Sequence, residues 1–166
     1  MGPSSSWKPA APVAAKPGVP NAFGLVGDDA NAIAPGKRPA SSMTPTFLIG
    51  DDLVAVLGTP GGSRIPTTVL HGILGLRAGD GAQAAVDRPR WHHQYLPDTI
   101  SYEPGAMPPA LVDGLRARGH VLTESDAPWS NMQMVLWRRG TGTVEAGSDS
   151  RWKGVGKGAE SATIHR

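Results

Sequence analysis

The alternation of apolar and polar residues predicts regular structure from about residue 46 onward. Two short apolar runs, 46–49 and 53–58, flank a Gly-Asp-Asp turn and predict a β-hairpin. The second run is apolar at successive positions, so we expect its strand to be buried on both faces. Residues 65–76 carry apolar side chains at helical spacing, and Pro66 suits the first turn of that helix.

Shorter elements are predicted along the rest of the chain. A helix is expected over 82–87, an amphipathic helix over 108–119, and single strands over 99–103 and 120–123. Residues 88–94 are expected to form a loop, and 131–137 with 143–146 a second hairpin. This order predicts a layered α/β (α+β) domain built on a mostly antiparallel sheet.

The two ends of the chain differ from its middle in composition. Residues 1–15 are rich in Pro, Ala and Ser and are expected to form a disordered arm, while 153–166 are expected to be a frayed tail. The domain itself is therefore predicted over 16–152. Within it, residues 21–45 lack periodicity, as functional or disordered stretches do.

Composition and charge exclude several classes of function. The 166 residues include 22 Gly and 16 Pro, with 39% hydrophobic and 18% charged residues, which is typical of one loop-rich globular domain. A net charge of only +2 with scattered basic residues argues against a nucleic-acid partner. The absence of cysteine excludes thiol nucleophiles, thiolate metal sites and disulfides, and it leaves the compartment open.

No membrane span or secretory signal is expected from the hydropathy pattern. The longest mostly apolar segments, 47–49, 53–57 and 69–76, fall far short of the roughly 20 residues of a membrane span. The first eight residues lack the apolar core of a signal peptide. The localisation of the protein therefore stays unknown at this stage.

Gly61 and Gly62 form the most chemically suggestive element in the sequence. They lie between a predicted strand and a predicted helix, where backbone N–H groups can converge on an anion. Such a turn can act as an oxyanion hole. It does not match a phosphate-binding loop, because no Gly-Lys-Ser/Thr follows. A plain strand-to-helix turn is the alternative, and the composition leaves both open.

Ser41 and Ser42 form a second candidate, in a loop between prolines. Adjacent hydroxyls can bind a carboxylate or orient a substrate, but serines more commonly cap turns. His71, His92 and His93 are expected to be structural. Adjacent histidines point in different directions, and no cysteine or suitably spaced carboxylate completes a metal site. No Gly-x-Ser-x-Gly element supports a Ser-His-Asp triad.

Taken together, these stretches resemble the light (small) subunit of γ-glutamyltranspeptidases. The most specific are the Lys-Arg-Pro-Ala-Ser-Ser-Met string at 37–43 and the Thr-Pro-Gly-Gly-Ser-Arg string at 59–64. The Arg-Pro-Arg-Trp-His-His-Gln string at 88–94 also stands out. The matching segments are 16–21, 24–33, 35–46, 58–65 and 85–94, with weaker matches at Gln133 and 147–151.

The resemblance implies an incomplete N-terminal-nucleophile hydrolase fold, an αββα sandwich of two sheets between helices. Members of the family free a threonine by self-cleavage, and that threonine attacks the γ-glutamyl amide of glutathione. The resulting γ-glutamyl ester passes to water, amino acids or peptides. By resemblance, Gly61 and Gly62 provide the oxyanion hole, and Ser41 and Ser42 bind the α-carboxylate end of the γ-glutamyl group. Glutathione and other γ-glutamyl compounds are the implied ligands, a large-subunit-like chain is the implied partner, and no cofactor or metal is implied.

The sequence departs from the family where the nucleophile is expected. The Thr-Thr-His motif has no counterpart ahead of Lys16, and the first threonine is Thr44. The Met-Asp-Asp-Phe element is replaced by alanines, Pro12 and Val13. We therefore expect the chain alone to be inactive. Two hypotheses follow. In the first, the chain is the C-terminal portion of a γ-glutamyltransferase. In the second, it is a non-catalytic γ-glutamyl-binding or interaction module, or a subunit that needs a partner chain.

Overall fold

The computed structural model describes residues 17–38, 41–152 and 156. The arm predicted over 1–15 and most of the tail predicted over 153–166 therefore lie outside the described residues. The chain divides into two units, Met1–Ser42 and Met43–Arg166, and each is described by itself.

Turns dominate the described residues of the N-terminal unit. The Asn21 side chain accepts hydrogen bonds from the N–H groups of Phe23 and Leu25, and a 3-10 helix spans Asp29–Asn31. The Lys37 ammonium donates to the carbonyl oxygens of Ala30 (2.5 Å) and Ala32 (3.0 Å). Side chains thus take over backbone bonding where the sequence shows no periodicity.

The second unit is built on a four-stranded antiparallel sheet. Its order is β1 (Thr46–Ile49), β2 (Leu53–Gly58), β6 (Gln133–Arg138) and β7 (Thr143–Ser148). Both predicted hairpins are present, and β2 joins them by pairing with β6. The prediction of a layered α+β fold on a mostly antiparallel sheet is confirmed.

A smaller sheet contains β3 (Trp91–His92), β4 (Ile100–Tyr102) and β5 (Leu122–Glu124). β3 and β4 are antiparallel, whereas β4 and β5 are parallel and are connected through α3 (Pro109–Ala117). The prediction that 88–94 is entirely loop is wrong, because Trp91 and His92 pair with β4. That pairing partner lies about ten residues farther along and leaves no local pattern.

Two helices cover one face of the four-stranded sheet. α1 (Ile65–Arg77) and α2 (Ala82–Asp87) pack on the side chains of Ala55, Leu57, Met134 and Leu136, which are at most 2% exposed. α1 approaches the sheet at Gly72, where an added Cβ would lie 2.9 Å from a Leu57 methyl and 2.8 Å from the Met132 sulfur. We call this covered side the inner face.

The opposite side, the outer face, carries mostly apolar side chains. The strand register aligns two rows of side chains on it. Phe47, Ile49, Val56 and Val135 are 41–75% exposed. The prediction that the second strand is buried on both faces is therefore wrong, because α1 and α2 cover only one side of β2. The eight residues of the two rows are Phe47, Val56, Val135 and Ala146, then Ile49, Val54, Trp137 and Val144.

Candidate functional site

The glycine turn, residues 59–64, joins β2 to α1 and contains both predicted glycines. Gly61 has φ 142° and ψ 13°, and Gly62 has φ 58°. Both values lie in the region that residues with a Cβ rarely adopt. A 3-10 turn over Gly62–Arg64 then leads into α1, with Pro66 in the first turn of the helix. The turn thus lies directly before the N-terminus of α1, which is the positive end of the helix dipole.

Space, as well as backbone conformation, requires glycine at position 61. A Cβ there would lie 2.5 Å from the Ser130 hydroxyl oxygen. Ser130 is itself unusual, because its φ is 65° and its side chain is buried. Its hydroxyl lies 3.1 Å from that of Thr68 in α1. The turn and the strained serine are therefore fitted to each other, as strain at functional sites often is.

Ser130 belongs to a backing loop, residues 129–132, that is hydrogen-bonded along its length. The Trp129 carbonyl accepts from the Arg90 guanidinium at 2.7 Å, and the Ser130 carbonyl accepts from the Trp152 indole at 2.8 Å. The Asn131 N–H donates to the Thr59 hydroxyl at 3.1 Å. This last bond joins the loop directly to the glycine turn.

A buried network of ion pairs holds the ends of the backing loop. Arg90 and Asp149 are both fully buried, and their side chains pair at 2.5 Å. The same Asp149 oxygen accepts the Met132 N–H at 3.0 Å. Arg151 pairs with Asp149 at 3.0 Å and with Glu103 at 2.6 Å. Breaking such a buried pair costs several kcal/mol, about 3–5, because one charge is left uncompensated.

The electrostatics of this network favour the charged form of Asp149. Burial alone raises the pKa of Asp149, but hydrogen bonds from Arg90, the Met132 N–H and Arg151 outweigh it and lower that pKa. The carboxylate therefore stays ionised at neutral pH and keeps the loop in place.

Arg64 places a cation at the glycine turn. Its guanidinium carbon lies 4.8 Å from the centre of the Trp129 ring, a cation–π contact between the turn and the backing loop. Burial lowers the pKa of Arg64, but an arginine stays charged in proteins. The turn therefore combines backbone dipoles with a nearby positive charge, which suits a developing anion.

A chain of side-chain hydrogen bonds runs from the start of α1 to β3. The Ser63 hydroxyl donates to the Gln94 amide oxygen at 2.7 Å, and His92 Nε2 lies 2.9 Å from that same oxygen. His92 Nδ1 lies 2.8 Å from the Thr67 hydroxyl. Burial lowers the pKa of His92, so its imidazole is neutral at pH 7.

The other predicted residues are the serine pair and the histidines. Ser41 (exposed) and Ser42 (half-buried) lie at the end of the N-terminal unit, in a segment without helix or strand. Their role in binding a carboxylate stays a prediction. His92 is buried while His93 is exposed and bonds to Asp98, so the two imidazoles do point apart. Within the described ranges, no group of three or more metal-ligating side chains comes together.

Sequence reasoning missed Arg90, Gln94 and Ser130. Arg90 and Gln94 belong to the 88–94 string, which matches the family but was expected to be a loop without a functional role. Ser130 carries no local signal, since only its backbone conformation and its contact with Gly61 distinguish it.

A concave region of about 650 Å³ adjoins the glycine turn on the outer face of the sheet. Gln133, one of the weaker matches in the sequence, lines it and donates to the Asn131 side chain at 2.7 Å. Other lining residues are Gly58, Thr59, Pro60, Val56 and Val135. A ligand held there would contact both the turn and the apolar rows.

Comparison with known proteins identifies relatives across most of the chain. Residues 10–159 match the family model described as Gamma-glutamyltranspeptidase. The glutathione hydrolase proenzyme of Escherichia coli is 45% identical over 124 residues, which are 74% of this chain and 21% of that protein. The Pseudomonas aeruginosa protein of the same name is 45% identical over 148 residues, 86% of this chain and 26% of that protein.

A solved structure shares the fold. The gamma-glutamyltranspeptidase from Pseudomonas nitroreducens complexed with L-DON superimposes with a TM-score of 0.71 at 42% identity. The match covers 86% of this chain and 75% of that chain. The chain thus spans about a fifth to a quarter of the length of the two curated relatives. Among the described residues, no helix is long and apolar enough to span a membrane.

Proposed function

The chain belongs to the gamma-glutamyltranspeptidase family, and from that membership we propose that it takes part in γ-glutamyl transfer or hydrolysis. Its relatives are named glutathione hydrolases, so glutathione and related γ-glutamyl amides are the proposed substrates. The observation that carries the proposal is the glycine turn, with Gly61 and Gly62 at positive φ at the start of α1.

In the proposed reaction, a hydroxyl nucleophile attacks the γ-carbonyl carbon and forms a C–O bond. The carbonyl oxygen becomes an oxyanion, which the N–H groups of the glycine turn stabilise together with the charge of Arg64. The tetrahedral intermediate collapses, the C–N bond breaks, and the leaving amine takes the proton that the attacking hydroxyl lost. Water or an acceptor amine then attacks the γ-glutamyl ester. Ser41 and Ser42 are proposed to bind the α-carboxylate of the γ-glutamyl group.

We propose that the nucleophile lies in a polypeptide segment of the family that residues 16–152 of this chain do not match. The outer face supports this proposal, because a folded domain rarely leaves a contiguous set of apolar side chains exposed on one sheet. Phe47 and Ile49 are 67% and 75% exposed on it. The occupant to which we commit is the remaining portion of a family member, since the chain matches at most 26% of its two curated relatives.

The test is a chimera with release of p-nitroaniline from γ-glutamyl-p-nitroanilide as the readout. Residues 16–152 replace the matched segment of the Escherichia coli relative, and glycylglycine serves as the acceptor. We expect the chimera to release p-nitroaniline and the isolated chain to release none above buffer. Gly61→Ala keeps the N–H, but its Cβ would lie 2.5 Å from the Ser130 hydroxyl oxygen, so it should displace the oxyanion donor and lower kcat by about 100-fold.

Gly119→Ala is the matched control. Gly119 also has a positive φ (89°), but an added Cβ there meets nothing within 4 Å. It should therefore leave kcat nearly unchanged. A folded chimera without activity would contradict the proposal, as would equal losses from the two substitutions. Activity of the isolated chain would show that another residue attacks.

A further inference from the structure

We propose that Gln94 is a positioning residue for the glycine turn, acting through the Ser63 hydroxyl and His92. This inference rests on the proposed function of the turn. Gln94 lies just after β3, whereas Ser63 directly follows the glycine pair, 31 residues earlier in the chain. Gln94 belongs to the Arg-Pro-Arg-Trp-His-His-Gln string, whose polar side chains the proposed reaction does not otherwise use.

The orientation of the Gln94 amide is fixed by its own donor. Its Nε2 donates to the Leu96 carbonyl at 2.6 Å, so its oxygen faces Ser63 and His92. An amide oxygen can only accept, and therefore both Ser63 Oγ and His92 Nε2 must carry the donated protons. One oxygen thus holds two donors that come from different segments.

The proton on His92 Nε2 determines the rest of the chain of bonds. In the neutral imidazole, Nδ1 is then the acceptor. The Thr67 hydroxyl lies 2.8 Å from Nδ1 and 3.0 Å from the Arg64 carbonyl oxygen, so its one proton is shared between these two acceptors. Thr67 lies in the first turn of α1 and Ser63 in the 3-10 turn before it. Gln94 therefore fixes both sides of the junction from which the oxyanion donors project.

Gln94 bonds to a residue of the turn that the backing loop does not contact. The backing loop reaches the turn through Thr59, Gly61 and the Arg64 ring contact. Ser63 is bonded instead to Gln94, so loss of the amide oxygen removes the hydrogen bond that holds the Ser63 side chain. A displaced oxyanion donor loses much of its effect, because such stabilisation depends on preorganised geometry.

The first measurement is amide hydrogen exchange by NMR on the full chain. The Arg64 N–H donates to the Gly61 carbonyl and the Ile65 N–H to the Gly62 carbonyl, so these two amides report opening of the turn. Gln94→Met keeps the length of the side chain but removes the acceptor, and should speed exchange at both amides by about fivefold. Ser63→Ala should do the same, and the double variant should exchange no faster than either single variant.

Two variants separate positioning from packing. Gln94→Glu keeps an acceptor oxygen for Ser63 and His92 but loses the donor to the Leu96 carbonyl, so exchange at Arg64 and Ile65 should lie between that of the native chain and that of Gln94→Met. Gln83→Met is the matched control, because the Gln83 side chain bonds to the Ser148 backbone and to the Asp87 carboxylate, away from the glycine turn. It should leave the two reporter amides unchanged. Unchanged exchange in Gln94→Met and Ser63→Ala, or exchange in Gln94→Glu as fast as in Gln94→Met, would overturn the proposal.

The second measurement uses the chimera described above. Gln94→Met should lower kcat by about 10- to 100-fold with little change in KM, because the oxyanion exists only in the transition state. If the exchange results hold but the unsubstituted chimera is inactive, the proposed function fails while the positioning of the turn stands. A parallel rise in KM with unchanged kcat would instead assign Gln94 to substrate binding.

Discussion

The two faces of the four-stranded sheet carry similar side chains but have different surroundings. Inner-face residues such as Ala55 and Leu136 are completely buried against α1 and α2. Outer-face residues one position away along the same strands, Val56 and Val135, are 41% and 48% exposed. Apolar side chains on both faces are typical of a sheet that is packed on both sides. Among the described residues, only the inner face is packed against helices.

The largest expected effect comes from truncating neighbouring residues of β6 on opposite faces. Leu136→Ala should lower the free energy of unfolding by about 2–5 kcal/mol, because it leaves a cavity in the core. Val135→Ala should lower it by about 1 kcal/mol or less, since that side chain is half exposed. Urea unfolding of the full chain measures both. Equal losses would break the comparison, because they would mean that the outer face is covered in solution, as in a dimer.

An intermediate effect is expected where α1 touches the inner face. Gly72→Ala adds a methyl group 2.8–2.9 Å from the Met132 sulfur and a Leu57 methyl. Overpacking of this kind costs about 1–3 kcal/mol, which exceeds the gain of at most about 1 kcal/mol from replacing a helical glycine. We therefore expect a lower melting temperature.

Gly114→Ala is the control for this prediction. Gly114 lies in α3, and an added Cβ there meets nothing within 4 Å. That substitution should stabilise the chain by about 0.5–1 kcal/mol. A stabilising Gly72→Ala would show that the inner face is more loosely packed than the structure indicates.

The smallest effect is on the pH dependence of stability. Burial lowers the pKa of His71 and of His92 below the ordinary 6.5, whereas no outer-face side chain titrates. As pH falls below about 6.5, the unfolded chain binds protons before the folded chain does, so stability decreases. Unfolding between pH 8 and pH 5 should show this loss, and His71→Gln should flatten part of it. A free energy of unfolding that rises toward pH 5 would contradict the assignment of two buried neutral imidazoles.

Local patterns were sufficient for most of the elements. The hairpin over 46–58, the helix that begins near residue 65 and the helix over 82–87 were predicted from spacing alone, because each depends on neighbours along the chain. The glycine turn was also located correctly, since consecutive glycines between a strand and a helix have few other uses. β3 was missed because its partner, β4, lies in a different segment.

The sequence by itself determined the family, the order of elements and the candidate glycines, since these follow from local spacing and specific motifs. Tertiary structure decided which face of the sheet is covered, because burial depends on where α1 and α2 pack. It also decided which side chains support the turn. Ser130 meets Gly61, and Gln94 meets Ser63, only after segments some 30 to 70 residues apart come together. Contacts over such separations leave no periodic trace in the sequence, so the geometry around the turn had to come from the folded chain.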